Sequence, residues 1–427
     1  MQTRKNHWPS ILILIVLALS TAFVLLFSVG SGINSIVHLF SNDGDPAGEM
    51  IGSFAFGFEL IVLLFCSWFV LKKVMGREQA ELPFRFPFAN WQIFAVIGMV
   101  ILSVALGGVI AYMEITWLAW FILPALTVFV IVPPIWLLFG IGSNGIELGS
   151  HWRIFSILGL SMTIGPLIMI VLELVLLLGI IIIGLIVLAI QQPALFQEIV
   201  NLGRIIKQET NQEVILKLLA PYISNTTVIA IALGYIALII PMIEELLKPL
   251  AVWIFAKKIE SPAQGFSMGL LSGAAFALIE SLNASGDGTS NWPIIVSIRA
   301  GTSLLHMTAS GLVGWGIVSA FREKRIMRFF AAYFSAVVIH GIWNACAIGA
   351  GLSAVGESIG RPEWLFNFIP AMLGGMFVIG IGMFAVLIAS NRKLRSSPSP
   401  YPSPGGRGDS LPPASGGRVG DEGEGVQ

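Results

Sequence analysis

Runs of about 20 apolar residues recur along this chain, separated by short polar breaks. A helix crossing the roughly 30 Å hydrocarbon core of a bilayer needs about that many. The pattern predicts spans near residues 11–30, 51–71, 91–113 and 117–138, the last kinked at Pro133-Pro134. From residue 154 to residue 190 the apolar run is too long for one straight crossing. A break at Gly165-Pro166 leaves a fifth span at 166–190 and an interfacial piece at 154–165. Further spans are predicted within 228–255, with a break or kink at Pro241, and near 262–282, 293–321, 329–350 and 366–390. The fold class is therefore all-α, a polytopic transmembrane helix bundle of about ten spans.

The polar breaks orient the spans. Arg4 and Lys5 precede the first. Lys72, Lys73 and Arg77 follow the second, Lys257-Lys258 the sixth, Arg322, Lys324, Arg325 and Arg328 the eighth, and Arg392, Lys393 and Arg395 the tenth. Positive charge marks the cytoplasmic side, so both termini are expected there. Between spans five and six, residues 191–224 alternate Glu198, Arg204, Lys207, Glu209, Glu213 and Lys217 with Leu and Ile, the pattern of an amphipathic surface helix. This segment is expected to be extracytoplasmic. Residues 396–427 are rich in Pro, Gly and Ser without apolar period and read as a disordered cytoplasmic tail, in which Arg407-Gly408-Asp409 is a chance sequence.

Composition agrees. Hydrophobic residues make up 56% and charged residues 11%, with mean hydropathy +0.86 and net charge zero. A zero balance supplies no electrostatic field for nucleic acid. Cys66 and Cys346 both lie in apolar spans, without metal-ligand spacing to one another, and read as packing residues.

The exception to this apolar regularity lies at residues 241–344. Four predicted spans there carry Glu244, Glu245 and Lys248, then Glu280, then Arg299 and His306, then His340 and Asn344. One charge in mid-helix costs roughly 2.5–3.5 kcal/mol on insertion scales. Counting about 1.5 Å per residue from the basic helix ends places these groups in one band, between the midplane and the outer face. Glu244 and Lys248 stand four apart on one face, as do His340 and Asn344, and Glu245 reaches Lys248 at three. Carboxylate, imidazole and amide are the groups that activate water and stabilise an oxyanion, and Glu and His also bind zinc. Glu59 and Glu173 are lone intramembrane carboxylates, read as protonated or bonded to a neighbouring helix. Gly265, Gly269 and Gly273, four apart, form a small-residue ridge that admits another helix backbone.

Glu244-Glu245-x-x-Lys248, Phe276-x-x-x-Glu280, His306 and His340-Gly341-x-x-Asn344 follow one another span by span. In this order the chain resembles the PrsW-type intramembrane proteases, relatives of the CAAX prenyl protease and bacteriocin-immunity superfamily. The resemblance covers about residues 240–345, and Asn344 stands where an Asp is often found. It divides the chain into N-terminal helices with the amphipathic segment (1–222), a catalytic bundle (223–395) and the tail (396–427). It implies an endopeptidase of a bacterial cell membrane that cuts membrane-anchored proteins, such as an anti-sigma factor, near the outer bilayer surface. The family is commonly described as metalloproteases, and the related prenyl-protease fold also supports a metal-free glutamate and histidine mechanism. In the expected roles Glu244 is the general base, His306 orients water, and His340 with Asn344 donates to the oxyanion. Glu245 and Glu280 orient these groups, and Lys248 and Arg299 balance charge. In the metal version Glu245, Glu280, His306 and His340 are the ligands, zinc the expected ion. The competing class is a proton-coupled transporter or channel, since intramembrane Glu and His also form proton relays. Its mark is an inverted repeat with broken helices in both halves; Pro133-Pro134 and Pro241 interrupt spans in each, but no polar motif in residues 1–222 echoes Glu244-Glu245. A proteolytically dead scaffold of the same fold is the third reading.

Overall fold

The computed structural model describes residues 8–41, 44–77, 84–223, 225–358 and 368–396, which form helices and short connections with no strand among them. Arg4, Lys5, Asp43 and the tail beyond Ser396 lie outside the described residues. The first four spans are α1 (Trp8–Ser41), α2 (Pro46–Val74), α3 (Trp91–Tyr112) and α4 (Thr116–Ser143). The fifth is α5 (His151–Met162) followed by α6 (Ile164–Gln191). The amphipathic stretch forms α7 (Pro193–Gln208) and α8 (Gln212–Ile223). The sixth span is built of α9 (Thr226–Gly234), a π-helical turn (Tyr235–Ile239), α10 (Ile240–Leu247) and α11 (Leu250–Phe255). The remaining spans are α12 (Pro262–Asn283), α13 (Trp292–Glu323), α14 (Ile326–Ser358) and α15 (Phe368–Arg395). Among the described residues, ten segments are long and apolar enough to cross a bilayer, and the chain is a multi-pass membrane protein on that ground.

The centre of the bundle is α12 against α13, packed further on α2, α4, α5 and α14. The glycine ridge of α12 makes this possible. A Cβ at Gly269 would stand 2.2 Å from the Ser310 carbonyl oxygen, and one at Gly273 would stand 2.5 Å from that of His306. Gly314 of α13 returns the contact, its Cβ position lying 2.5 Å from the Gly265 oxygen. Close backbone approach replaces side-chain interdigitation here, as in small-residue membrane interfaces. It also sets the height of Glu280 on α12 relative to His306 on α13.

Proline determines the two interruptions. The helix breaks at Thr163, ahead of the expected Gly165-Pro166, because Pro166 has no N–H for the carbonyl of Met162 one turn earlier. The piece before the break, expected at the interface, is packed within the bundle. Trp152, Ile154 and the run from Ser156 to Met162 are buried, packed on α2 and α12. In the sixth span Pro241 has no N–H for Ala237, and the backbone relaxes into the π turn just before it. Its unused carbonyls meet α14. Asn344 donates from Nδ2 to the Ile236 oxygen at 3.0 Å, and Gly341 lets the Ala237 oxygen approach to within 2.2 Å of where a Cβ would stand. By contrast α4 stays one helix through Pro124, Pro133 and Pro134, without dividing at the expected kink.

The basic helix ends gather at one end of the bundle. Arg153 donates to the Lys258 carbonyl, Arg322 donates to those of Lys257 and Ile259, and Lys73 and Lys258 both lie over the Trp152 ring. At the other end Asp45 caps α2 and accepts from the Gly288 N–H, tying down the α12–α13 loop.

Candidate active site

Four spans deliver the polar residues, and a lysine lies at their centre. The Lys248 ammonium is 2.8 Å from Glu244 Oε2, 2.8 Å from Glu245 Oε1 and 2.8 Å from His306 Nδ1, with His340 Nδ1 at 3.5 Å. The Phe276 ring lies 4.6 Å beneath it, adding a cation–π contact. Lys248 ends α10, just before Pro249, and its carbonyl accepts from Ser272 Oγ of α12, which in turn meets Ser161 Oγ of α5 at 2.6 Å. The lysine is thus fixed at its backbone and at its ammonium.

Lys248 assigns the tautomer of His306. An ammonium only donates, so His306 Nδ1 accepts from Lys248 and its Nε2 carries the proton, 2.7 Å from Glu280 Oε2. Glu280 is held on its other oxygen by Arg299 at 2.9 Å. His340 Nδ1 donates to Glu245 Oε1 at 2.8 Å, and its Nε2 stands 3.7 Å from Glu244 Oε2. The two imidazole rings stand edge to face, 5.3 Å apart.

Burial separates the carboxylates. Glu245 and Lys248 have side chains at 0% exposure, whereas Glu244 keeps 14% and Glu280 35%. Glu244 and Glu280 both line two cavities. One, of about 850 Å³, lies among α1, α2, α5, α6 and α12. The other, of about 560 Å³, lies among the π turn, α10, α13, α14 and α15. The cluster is a buried polar knot with two open carboxylates, one cavity on each side.

All eight residues singled out in the sequence fall in this neighbourhood, with different neighbours from those expected. The group of possible metal ligands is Glu244, Glu245, His306 and His340, whose donor atoms lie within 4.8 Å of one another. Glu244 takes the place in it that the sequence reading gave to Glu280, which sits on the far side of His306. Asn344 lines the smaller cavity, but its Nδ2 serves the π turn. Glu59 accepts from Asn283 Nδ2 at 2.8 Å, and Glu173 receives Tyr235 Oη at its backbone carbonyl. Two supports were missed. Ser272 holds the Lys248 carbonyl, and Tyr333, two turns before His340, donates to the Met242 carbonyl of α10 at 2.9 Å. The seven-residue spacing of Tyr333 and His340 was the available signal for the second.

Residues 169–374 match the family model described as PrsW family intramembrane metalloprotease. The match takes in every residue of the cluster, covers just under half of the chain and leaves α1 to α5 outside it. It supports an intramembrane protease, and the Glu and His donors are consistent with a metal-dependent one. No curated protein and no solved structure matches the chain.

Proposed function

We propose that this chain is an endopeptidase that hydrolyses membrane-anchored proteins at the Glu244 cluster, within the outer half of the bilayer. The observation that carries this reading is the arrangement of Glu244, a carboxylate open to two cavities and backed by a fully buried cation and two buried imidazoles. The gathering of basic helix ends at one end supports a cytoplasmic assignment of that end and of both termini. Residues 1–222 would then form the accessory part of the bundle, with α7 and α8 on the outer surface.

In this mechanism Glu244 takes the proton from water, with His340 Nε2 beside it as the next acceptor. Glu245 holds His340 in the tautomer that leaves Nε2 free. His306 is anchored by Lys248, with its Nε2 2.7 Å from Glu280 Oε2. Arg299 lines the smaller cavity and is the proposed donor to the developing oxyanion, in place of the expected His340 with Asn344. Two carboxylates and two imidazoles suit a divalent ion of the zinc class. Glu245 Oε2, buried without a hydrogen-bond partner, is a spare donor for one. Glu244, Glu245, His306 and His340 would hold it, and Lys248 would have to yield its central place. A bound ion would lend Lewis acidity to water and the scissile carbonyl.

Cleavage of co-expressed single-span reporters tests the reading, comparing the unmodified chain with Glu244→Gln and His306→Ala at matched levels. A fragment that disappears in both variants supports it; one that persists in Glu244→Gln removes it. Stoichiometric zinc lost on His306→Ala would establish the metal form. A second reading, proton translocation, draws on Glu59, Glu173, Glu244 and Glu280 lining one cavity. Proton uptake into proteoliposomes that depends on Glu244 would favour it.

A further inference from the structure

The larger cavity raises a question that the catalytic cluster does not answer. Its wall is shared between α1, α2 and α5, which lie outside the family match, and α6, α10 and α12, which lie largely within it. Phe23 comes from α1, and Phe56 and Glu59 from α2, facing Met169 and Glu173 of α6. The lining is predominantly apolar and ends at Glu244 and Glu280. On its outer side stands α6, the least enclosed span. None of its most apolar stretch is buried, and it packs mainly on α5, α7 and α10 rather than on α1 or α2. The α5–α6 break at Thr163 is at the edge of the same cavity.

A second, independent feature points to the occupant. Glu173 is half-buried on this wall, and its Oε1 is covered without a hydrogen-bond partner. A buried polar atom left unpaired costs roughly 1–3 kcal/mol. A lipid acyl chain offers it no donor. The backbone N–H of a peptide segment that has left its helix does, and a protease must present such an unwound segment to its base.

We propose that the cavity between α1–α2 and α6 is the docking site for the apolar membrane segment of the protein substrate. The segment enters laterally between α1 and α6, is received by Phe23 and Phe56, and donates a backbone N–H to Glu173 beside Glu244. The N-terminal helices thereby select the substrate while the matched region cuts it. This inference rests on the protease reading.

The test places a benzophenone amino acid at Phe23, at Phe56 and, as a control outside the cavity lining, at Ile183 of α6, in the full-length Glu244→Gln chain co-expressed with a reporter that the unmodified chain cleaves. Adducts to the reporter several-fold stronger from Phe23 and Phe56 than from Ile183 support the proposal. Adducts to lipid alone from Phe23 and Phe56 overturn it. A kinetic arm uses Glu173→Leu, expected to raise KM for that reporter several-fold with kcat kept, and Glu173→Gln, which retains an acceptor oxygen and restores KM. An unchanged KM in Glu173→Leu overturns the peptide contact. The two levels stay separable: cleavage that survives Glu244→Gln removes the protease reading, whereas Glu244-dependent cleavage without adducts at Phe23 and Phe56 removes this inference alone.

Discussion

The α12–α13 pair and α6 are built on opposite terms. In α12, 83% of the most apolar stretch is buried, and in α13, 72%; for the span containing α6 the figure is 0%. Yet α6 is mostly Leu, Ile and Val, with Glu173 its one charged residue, whereas α12 and α13 are mixed with Gly, Ser, Thr, Glu, Arg and His. In water the most apolar helix would sit at the centre. In a bilayer lipid solvates it as well as protein does, so apolarity does not drive it inward. Small residues and polar pairs decide which helices pack together. The polar cluster of this protein therefore sits in its least apolar spans.

Several substitutions put that contrast under load. The largest effect is expected from Lys248→Met, which leaves Glu244 and Glu245 buried without their cation. Losing one partner of a buried pair costs about 3–5 kcal/mol. Thermal unfolding in detergent reads it, and excess zinc is expected to recover part of the loss by neutralising the same carboxylates. Unchanged unfolding without zinc would mean that the knot is not assembled as described. Next comes Gly269→Leu, in the tightest α12–α13 contact, with an expected loss of about 3 kcal/mol, the upper end of ordinary overpacking. Asn344→Leu follows at about 1–3 kcal/mol, since the Ile236 carbonyl loses its donor. Activity is expected to fall with it, because the π turn carries the approach to Glu244. Asn344→Leu with full stability would detach Asn344 from that support role. The smallest effect belongs to Gly179→Leu on α6, where no atom lies within 4 Å of an added Cβ. A change of less than about 0.5 kcal/mol is expected in the same assay. A loss as large as that of Gly269→Leu would erase the distinction between the two regions.

The sequence was most legible where one residue type has one physical meaning. Basic clusters marked helix ends, glycines at four-residue spacing marked the tight helix pair, and charges in apolar runs marked the site. It was less legible where two spans meet. Glu244 and Glu280 are equivalent as one-dimensional signals, each a carboxylate in a span. Only the packing of α10 beside α14 shows that Glu244 shares the donor group with His340, while Glu280 faces Arg299 behind His306. Asn344 presents the same difficulty. Its spacing from His340 is visible, but its hydrogen bond depends on the π turn that Pro241 causes on another span. The break at Thr163 misled by one turn because a proline acts on the carbonyl four residues before it rather than at its own position. The burial of α5 was hidden because an apolar stretch looks the same against lipid as against protein.

The Glu280–Arg299 pair has a consequence for biogenesis. Glu244, Glu245 and Lys248 lie within a single turn or so of one span, and that span can leave the insertion machinery with most of its charge already neutralised. Glu280 and Arg299 belong to successive spans and cancel only after both have emerged and closed on each other. Inserted singly, each would carry a naked charge into hydrocarbon at the cost given by insertion scales, roughly 2.5–3.5 kcal/mol. Spans seven and eight are therefore expected to insert as a pair, with the Glu280–Arg299 contact closing as their glycine seam forms.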